Sequence, residues 1–339
     1  MAPIASAFGL PLQSAEALGQ GLIHHSYQIT VSGGEQFLLQ QLNTQVFAQP
    51  QIVQENFVAI RRALQGHYAL PHLVPTGQGQ LYLQHQQQAW RCFTWVPHSY
   101  APTGSISPEL AYDTARCFGS YARLLSQAMP SLHTVLPRFH HLGWRAQQLK
   151  AACQQATAQR LQAARPVLSL LDAHTDLLRQ YEYWQQSPQP FPLRILHHDC
   201  KPSNILFHQQ TGQLLCPVDL DTTQPGLFFS DLGDMVRSMV PNLPEDHAAV
   251  ADLALRPLYW QALQEGYADG SQPLWTPDER AALPLAGVVL LYMQAMRFLA
   301  DYLQGDVYYH TSYPGQNLDR AANQAHLLRP LRQLATTKS

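Results

Sequence analysis

Lysine is almost missing from these 339 residues: it occurs only at Lys150, Lys201 and Lys338, so nearly all of the 21 basic side chains are arginine. Charged residues make up 13% of the chain, about half of the ~25% usual in soluble domains. With a formal net charge of −2 there is no basic footprint, and no nucleic-acid partner is expected. Cysteine is sparse as well. Cys92, Cys117, Cys153, Cys200 and Cys216 are odd in number and form no C-x-x-C pair, a pattern that excludes a disulfide framework and a zinc ribbon and suits a reducing, cytoplasmic setting. Long apolar runs are also lacking. The most apolar stretch, Leu283 to Met296, contains Pro284 and Gln294 and meets Arg297 at its end. It falls short of the ~18 residues of a spanning helix, so a buried core helix and no membrane partner are expected. No basic residue precedes the short apolar stretch within Met1 to Leu10, so a secretory signal is not expected.

What is present is apolar residues at 46%, with 25 Pro and 19 Gly that divide the chain into short elements. This mixture excludes disorder, collagen and coiled coil. Residues 15 to 97 read as strands with one helix. Ser26 to Val31 and Gln36 to Gln41 are β-like runs joined by Ser32-Gly33-Gly34-Glu35, where glycine supplies the positive φ of a hairpin turn. Pro50 opens a helix whose Val53, Phe57, Ile60 and Leu64 form one buried stripe. Strands are expected at His72 to Pro75, Leu81 to Leu83 and Trp90 to Val96. Beyond Pro97 the pattern turns helical: Glu109 to Met129, Ala146 to Ala164, Val167 to Gln186, Asp246 to Tyr267 and Leu283 to Gln304. Only the runs Ile205 to Phe207 and Leu214 to Val218 interrupt it. The expected division is a β-rich lobe at residues 1–97 and a larger, mainly helical lobe at 98–339.

Chemistry concentrates in His197-His198-Asp199-Cys200-Lys201-Pro202-Ser203-Asn204 and, across the following turn, Val218-Asp219-Leu220-Asp221. Phosphoryl transfer from ATP asks for a carboxylate to take the nucleophile's proton, oxygen ligands for Mg²⁺ and a cation for the spreading negative charge. A segment H-x-D-x-K-x-x-N supplies the base Asp199, the cation Lys201 and the ligand Asn204, and a hairpin returns Asp219 beside the asparagine. That order of elements is the order of an α+β, protein-kinase-like two-lobed fold. Gly19-Gln20-Gly21 stands where a glycine turn would cover phosphates. Thr94 to His98, with Thr94 and Val96, stands where backbone groups would hold adenine. The third strand normally carries a lysine paired with a glutamate on the next helix. Here Gln40 occupies that position and Glu55 the helix, and no lysine lies anywhere from Met1 to Pro97.

Leu196 to Leu206 resembles the catalytic loop of the aminoglycoside phosphotransferase and choline kinase superfamily. Three further stretches resemble one of its branches, the N-acetylhexosamine 1-kinases: Phe37 to Thr44, Val218 to Gly226, and Met296 to Tyr308 continuing to Tyr313-Pro314 and Asn317-Leu318. Trp90-Arg91-Cys92-Phe93 resembles that branch's strand leading to the hinge, and the matches run from about residue 19 to 328. The branch likewise carries glutamine on the third strand. Two departures stand out: Leu22 and His24 where the branch tends to carry His and Asn, and Arg237-Ser238 where Arg-Phe is the pattern.

The resemblance implies ATP-dependent phosphorylation of the anomeric hydroxyl of N-acetylglucosamine or N-acetylgalactosamine. Asp199 would be the base, Asn204 and Asp219 the Mg²⁺ ligands, Asp221 a group near phosphate or metal, and Arg297 part of the sugar pocket. Arg297 and Asp301 are also spaced to pair at i,i+4. The partner implied is a small molecule, the cofactors ATP and Mg²⁺, and the oligomeric state a monomer or homodimer. Two alternatives stay open: a kinase for another small alcohol (choline, homoserine, an aminoglycoside or another sugar), and a non-catalytic ATP-binding relative.

Overall fold

The computed structural model describes residues 1–19 and 23–337; Gly21, Leu22 and Lys338 of the sequence reading lie outside the described residues. The chain divides into two compact units. The first comprises Met1–Pro102, Gln127–Pro137 and Asn204–Gln224, and the second Thr103–Ser126, Arg138–Ser203 and Pro225–Ser339. The first unit thus runs a few residues beyond Pro97 and takes in two later segments.

The first unit is built on an antiparallel sheet in the order β1-β2-β3-β6-β4, with β5 also on β6. Its strands are β1 Leu12–Ala17, β2 His25–Val31, β3 Gln36–Leu42, β4 Leu73–Val74, β5 Leu83–His85 and β6 Gln88–Thr94. The β2–β3 turn places Gly34 at φ 82°, as the hairpin requires. Side chains alternate between the faces. Ile29, Leu39, Trp90 and Cys92 pack on helix α1 (Ala2–Ala7) through Ile4, Ala5 and Phe8. On the other face Phe93 meets Phe57 of helix α2 (Pro50–Ala63), with ring centroids 4.8 Å apart.

A second small sheet belongs to the same unit. Strand β7 (Ser99–Tyr100) pairs with one strand of a late hairpin (Ile205–His208 and Leu214–Pro217). The segment 127–137 is tied in by side-chain hydrogen bonds: Asn56 exchanges two 2.8 Å bonds with the backbone of His133. Gln224 likewise bonds both backbone groups of Leu136, at 3.1 and 2.8 Å.

The second unit is mainly helical: α3 Pro108–Ala128, α4 Leu142–Gln155, α5 Ala158–Asp172 and α6 Asp176–Gln186, then α7 Phe229–Met239, α8 Pro257–Ser271, α9 Pro277–Ala282, α10 Ala286–Gln304 and α11 Gln316–Thr337. Helix α10 is buried along most of its length, as an all-round apolar helix must be. The stretch Pro277–Gln304 is long and apolar enough to cross a membrane by length and composition, yet it is mostly buried against its neighbours. Three expectations need correction. Residues 146–186 form three helices rather than two, because Thr157 caps α5 by accepting from Arg160 N at 3.3 Å. Pro166 therefore lies inside α5 and does not separate two helices. The helix expected from Asp246 starts only at Pro257, which takes its first turn, where a missing N–H costs nothing. Helix α11, which the periodicity did not announce, closes the chain's described residues.

Helices α3 and α8 approach backbone to backbone. A Cβ on Gly266 would lie 2.3 Å from Tyr112 O, and one on Gly270 2.1 Å from Arg116 O. Neither atom can move without shifting α3. Gly266→Ala is therefore expected to destabilise the protein by about 1–3 kcal/mol, read as a lower urea midpoint at unchanged slope.

Candidate active site

In the first unit, residues from three neighbouring strands make one transverse row. Ser26, Gln40 and Arg91 stand directly opposite one another on β2, β3 and β6, so their side chains share a face. Gln40 Nε2 donates to Ser26 Oγ at 2.9 Å, and Gln40 Oε1 accepts from Arg91 Nε at 3.0 Å. The row ends on Asp221, whose Oδ1 accepts from Arg91 Nη1 at 2.7 Å and whose Oδ2 accepts from His24 Nε2 at 2.9 Å. His24 Nδ1 accepts from Asn43 N at 3.1 Å, so its proton sits on Nε2, toward the carboxylate.

Arg91 and Asp221 are each only 2% exposed at the side chain. Burial alone would push the Asp221 carboxyl up, but the Arg91 guanidinium and the His24 hydrogen bond outweigh it and hold the group well below the usual carboxylate range. Both ends of Gln40 are thus engaged by protein groups. Glu55 is turned elsewhere, accepting from Gln51 at 2.7 Å and lying 3.2 Å from His133. The cation of this sheet is Arg91, one strand over from the usual lysine position.

The late hairpin now defines β9 (Ile205–His208) and β10 (Leu214–Pro217). Asn204 O accepts from Val218 N at 2.8 Å, which sets Asn204 and Asp219 at the base of the same hairpin. Asp219 adopts φ 59°, ψ 51°, a left-handed conformation that a non-glycine residue holds only when its surroundings enforce it. Ligand-type atoms of His24, Asp219 and Asp221 all lie within 4.8 Å of one another. His24 spends its Nε2 proton on Asp221, so the oxygens of Asp219 and Asn204 are the donors suited to a hard cation such as Mg²⁺. Gly19, the first residue of the glycine stretch and the only one of its two glycines among the described residues, has φ 52°. At the end of β6, Thr94 Oγ1 accepts from His72 N at 2.9 Å and Val96 O accepts from Ser99 Oγ at 2.7 Å.

In the second unit, strand β8 (Arg194–Leu196) delivers the loop that carries Asp199. Two carboxylates of α7 hold its backbone. Asp231 accepts from His197 N at 3.2 Å and His198 N at 2.8 Å, and Asp234 accepts from Cys200 N at 2.8 Å. Burial and the neighbouring Asp199 push the Asp234 carboxyl up, while Arg237, 2.8 Å away, opposes them. His198 sits at φ 68°, its ring bonded to Ser230 Oγ at 2.6 Å. Gly226 makes room for it, since a Cβ there would come within 2.4 Å of His198 Cε1. The loop presents Asp199 with Lys201 Nζ 3.0 Å from its Oδ2, both side chains partly exposed.

Arg297 on α10 does not pair with Asp301. Asp301 instead accepts from the backbone N–H groups of Val307, Tyr308 and Tyr309 at 2.8–3.0 Å, and from Asn317 Nδ2 at 2.9 Å. It thereby folds the loop after α10 back so that the Tyr309 ring lies 5.6 Å from the Arg297 guanidinium. Sequence reasoning missed Arg91, His24 and Tyr309. Only Arg91 carried a usable signal, a lone arginine inside the apolar run Trp90-Arg91-Cys92-Phe93.

Residues 14–272 match the phosphotransferase enzyme family. The chain belongs to that family. Its fold is kinase-like and is shared with solved structures across nearly the whole chain. An aminoglycoside phosphotransferase from Alicyclobacillus acidocaldarius is 18% identical with a TM-score of 0.64, covering 99% of this chain and 96% of its own. A microcompartment-associated aminopropanol kinase is 17% identical with a TM-score of 0.62, covering 96% and 93%. A spectinomycin phosphotransferase solved with ADP and spectinomycin is 11% identical with a TM-score of 0.60, covering 98% and 95%.

Removing Arg91 leaves Asp221 buried and charged. Arg91→Met is expected to cost about 3–5 kcal/mol of stability near neutral pH. Because the folded-state carboxyl titrates below its ordinary 3.8, the pair's contribution is full above that value and is lost as the pH falls through the folded value. Urea unfolding at stepped pH should show the gap between the two proteins widest near neutral pH and narrowing as the pH falls, first because burial without Arg91 raises the variant's carboxyl and then, below about 4, because the unaltered protein loses its own pair.

Proposed function

We propose that this phosphotransferase moves the γ-phosphoryl group of ATP to a hydroxyl of a small alcohol, and that the alcohol is an amino sugar phosphorylated at its anomeric oxygen. The observation that carries the transfer step is the Asp199–Lys201 pair, held on a backbone fixed by Asp231 and Asp234. Asp199 accepts the proton of the attacking hydroxyl, and Lys201 meets the negative charge that spreads over the transferred group. A sugar hydroxyl needs a weak base in the right place rather than a strong one, since positioning and electrostatics supply most of the rate. Asn204 and Asp219 would hold Mg²⁺, which would supply positive charge against the negative charge of the phosphates. Gly19 and the Thr94–Val96 backbone are assigned to nucleotide, and Gln40, Glu55 and Asp221 to shaping its surroundings within the first unit. Arg91 takes over as its fixed cation.

The amino-sugar reading rests on the likeness of the stretch from Met296 to Asn317 to the N-acetylhexosamine 1-kinases. Its residues Arg297, Asp301, Asp306 and Asn317 act as one unit, with Asn317 Nδ2 bridging Asp301 and Asp306 at 2.9 and 3.0 Å. A guanidinium at Arg297 argues against cationic acceptors such as choline or an aminoglycoside. The five free cysteines suit the cytoplasm.

Asp199→Asn is expected to lower kcat by about 10³-fold or more while nucleotide affinity stays within a few-fold, measured by coupled ADP release and by calorimetric titration with ADP. Unchanged turnover would remove Asp199 from the mechanism. In a panel of sugars, amino sugars and choline, stimulation by the N-acetylhexosamines supports the finer assignment, and stimulation by choline alone overturns it.

A further inference from the structure

Among the described residues, a pair of guanidiniums in the second unit has no carboxylate partner. Arg145 on α4 donates from Nη2 to Phe139 O at 3.0 Å and from Nη1 to Gln148 Oε1 at 2.8 Å. Its Nε is buried with no acceptor. Arg297 comes to the same phenylalanine from α10: its guanidinium lies 5.5 Å from the Phe139 ring, and its Nη1 donates to Gln294 Oε1 at 3.0 Å. All the protein acceptors are thus neutral amides or carbonyls. Among the described residues no carboxylate forms an ion pair with either arginine, although ten other Arg, His and Lys side chains find one.

Two like charges sharing a poorly solvated spot repel. Burial, followed by the Arg297 charge, pushes the Arg145 guanidinium down to about 10, and only the hydroxyls of Tyr309 and Tyr308 work against this. The neighbouring His140 is held neutral by burial and by the charges of His198, Arg297, Arg145 and Arg237. A protein rarely keeps such an arrangement for stability, since one buried carboxylate would relieve it. The missing anion is most simply brought by a ligand.

The place of the pair says which ligand. Phe139 stacks on His140 with centroids 4.5 Å apart, and His140 meets His198 edge-on at 5.5 Å. His198 immediately precedes Asp199, so a short run of rings links the arginines to the loop that carries the base. We propose that Arg297 and Arg145 form an anion subsite for the acceptor, and that the alcohol phosphorylated here carries a carboxylate or phosphate group. The proposal rests on the phosphotransfer reading above and narrows its amino-sugar substrate class to the acidic members. Guanidinium forks match either anion in two-point contacts, and Arg297 has its Nε and Nη2 donors still without a protein acceptor among the described residues.

Matched acceptors test it on the full chain. ADP release is measured with N-acetylglucosamine, its 6-phosphate and the corresponding uronic acid, and binding of each is measured by calorimetry without nucleotide. An acidic acceptor should exceed its neutral parent in kcat/KM by about 30-fold or more. Arg297→Gln should erase that preference while the KM for ATP stays unchanged, and Arg297→Lys should restore part of it. Arg145→Gln gives a second variant with the same expected loss. Equal use of neutral and acidic acceptors by the unaltered protein would overturn the proposal, as would a rise in the KM for ATP in both glutamine variants. The phosphate and uronate arms tell which anion is taken. If no acceptor releases ADP, the transfer reading fails, and calorimetric binding of the acids, lost in Arg297→Gln, still decides the subsite.

Discussion

Asp221 is the point to which the first unit is tied. Its two oxygens are claimed by Arg91 from β6 and by His24 ahead of β2, and the hairpin that carries Asp219 is anchored through it. Such a buried pair contributes little net stability, since each charge loses its hydration. Its value lies in what it forbids. With one partner gone the other is left uncompensated, so the hairpin has a single acceptable seating on the sheet. The row Ser26–Gln40–Arg91 extends that constraint across three strands. Gln40 fits this row better than a lysine would, because an ammonium there would face the Arg91 guanidinium at 3.0 Å, where the amide oxygen now accepts.

In the second unit the same logic is applied to backbone rather than side chains. Asp231 and Asp234 spend their oxygens on the N–H groups of His197, His198 and Cys200. Asp301 does the same for residues 307 to 309. Each carboxylate converts an irregular segment into one conformation, including the left-handed φ at His198. A loop held this way loses little entropy when a ligand arrives, which is how a chain with few charges can fix the positions of Asp199 and Arg297.

Much of this was legible in the sequence, and its limits have physical causes. Strands β2, β3 and β6 and helices α2, α3 and α10 announce themselves because their apolar residues recur at the period of the element. The candidate stretch from His197 to Asn204 is legible because Asp199, Lys201 and Asn204, the residues proposed to carry the chemistry, stand within eight residues of one another. What stayed hidden depends on contacts far apart along the chain. Arg91 reads as an oddity in a strand until Asp221, 130 residues later, is placed against it. Asp301 sits four residues after Arg297, the spacing of a helical ion pair, but its hydrogen bonds go forward to a loop that spacing cannot reveal. Pro166 is a strong breaker by rule, and tertiary packing together with the Thr157 cap moved the break upstream.

The scarcity of lysine has a chemical consequence of its own. Side-chain primary amines are the sites at which acylating, carbamylating and Schiff-base-forming reagents attach to proteins. Among the described residues this protein offers two, an exposed Lys150 on α4 and the half-buried Lys201 beside Asp199. Among the described residues, amine-directed chemistry, whether a laboratory probe or a cellular acetyl donor, therefore meets an almost blank surface and a single amine within the loop that carries Asp199. Loss of Lys201 to such a reagent would remove one positive charge next to Asp199, where no second lysine stands in reserve.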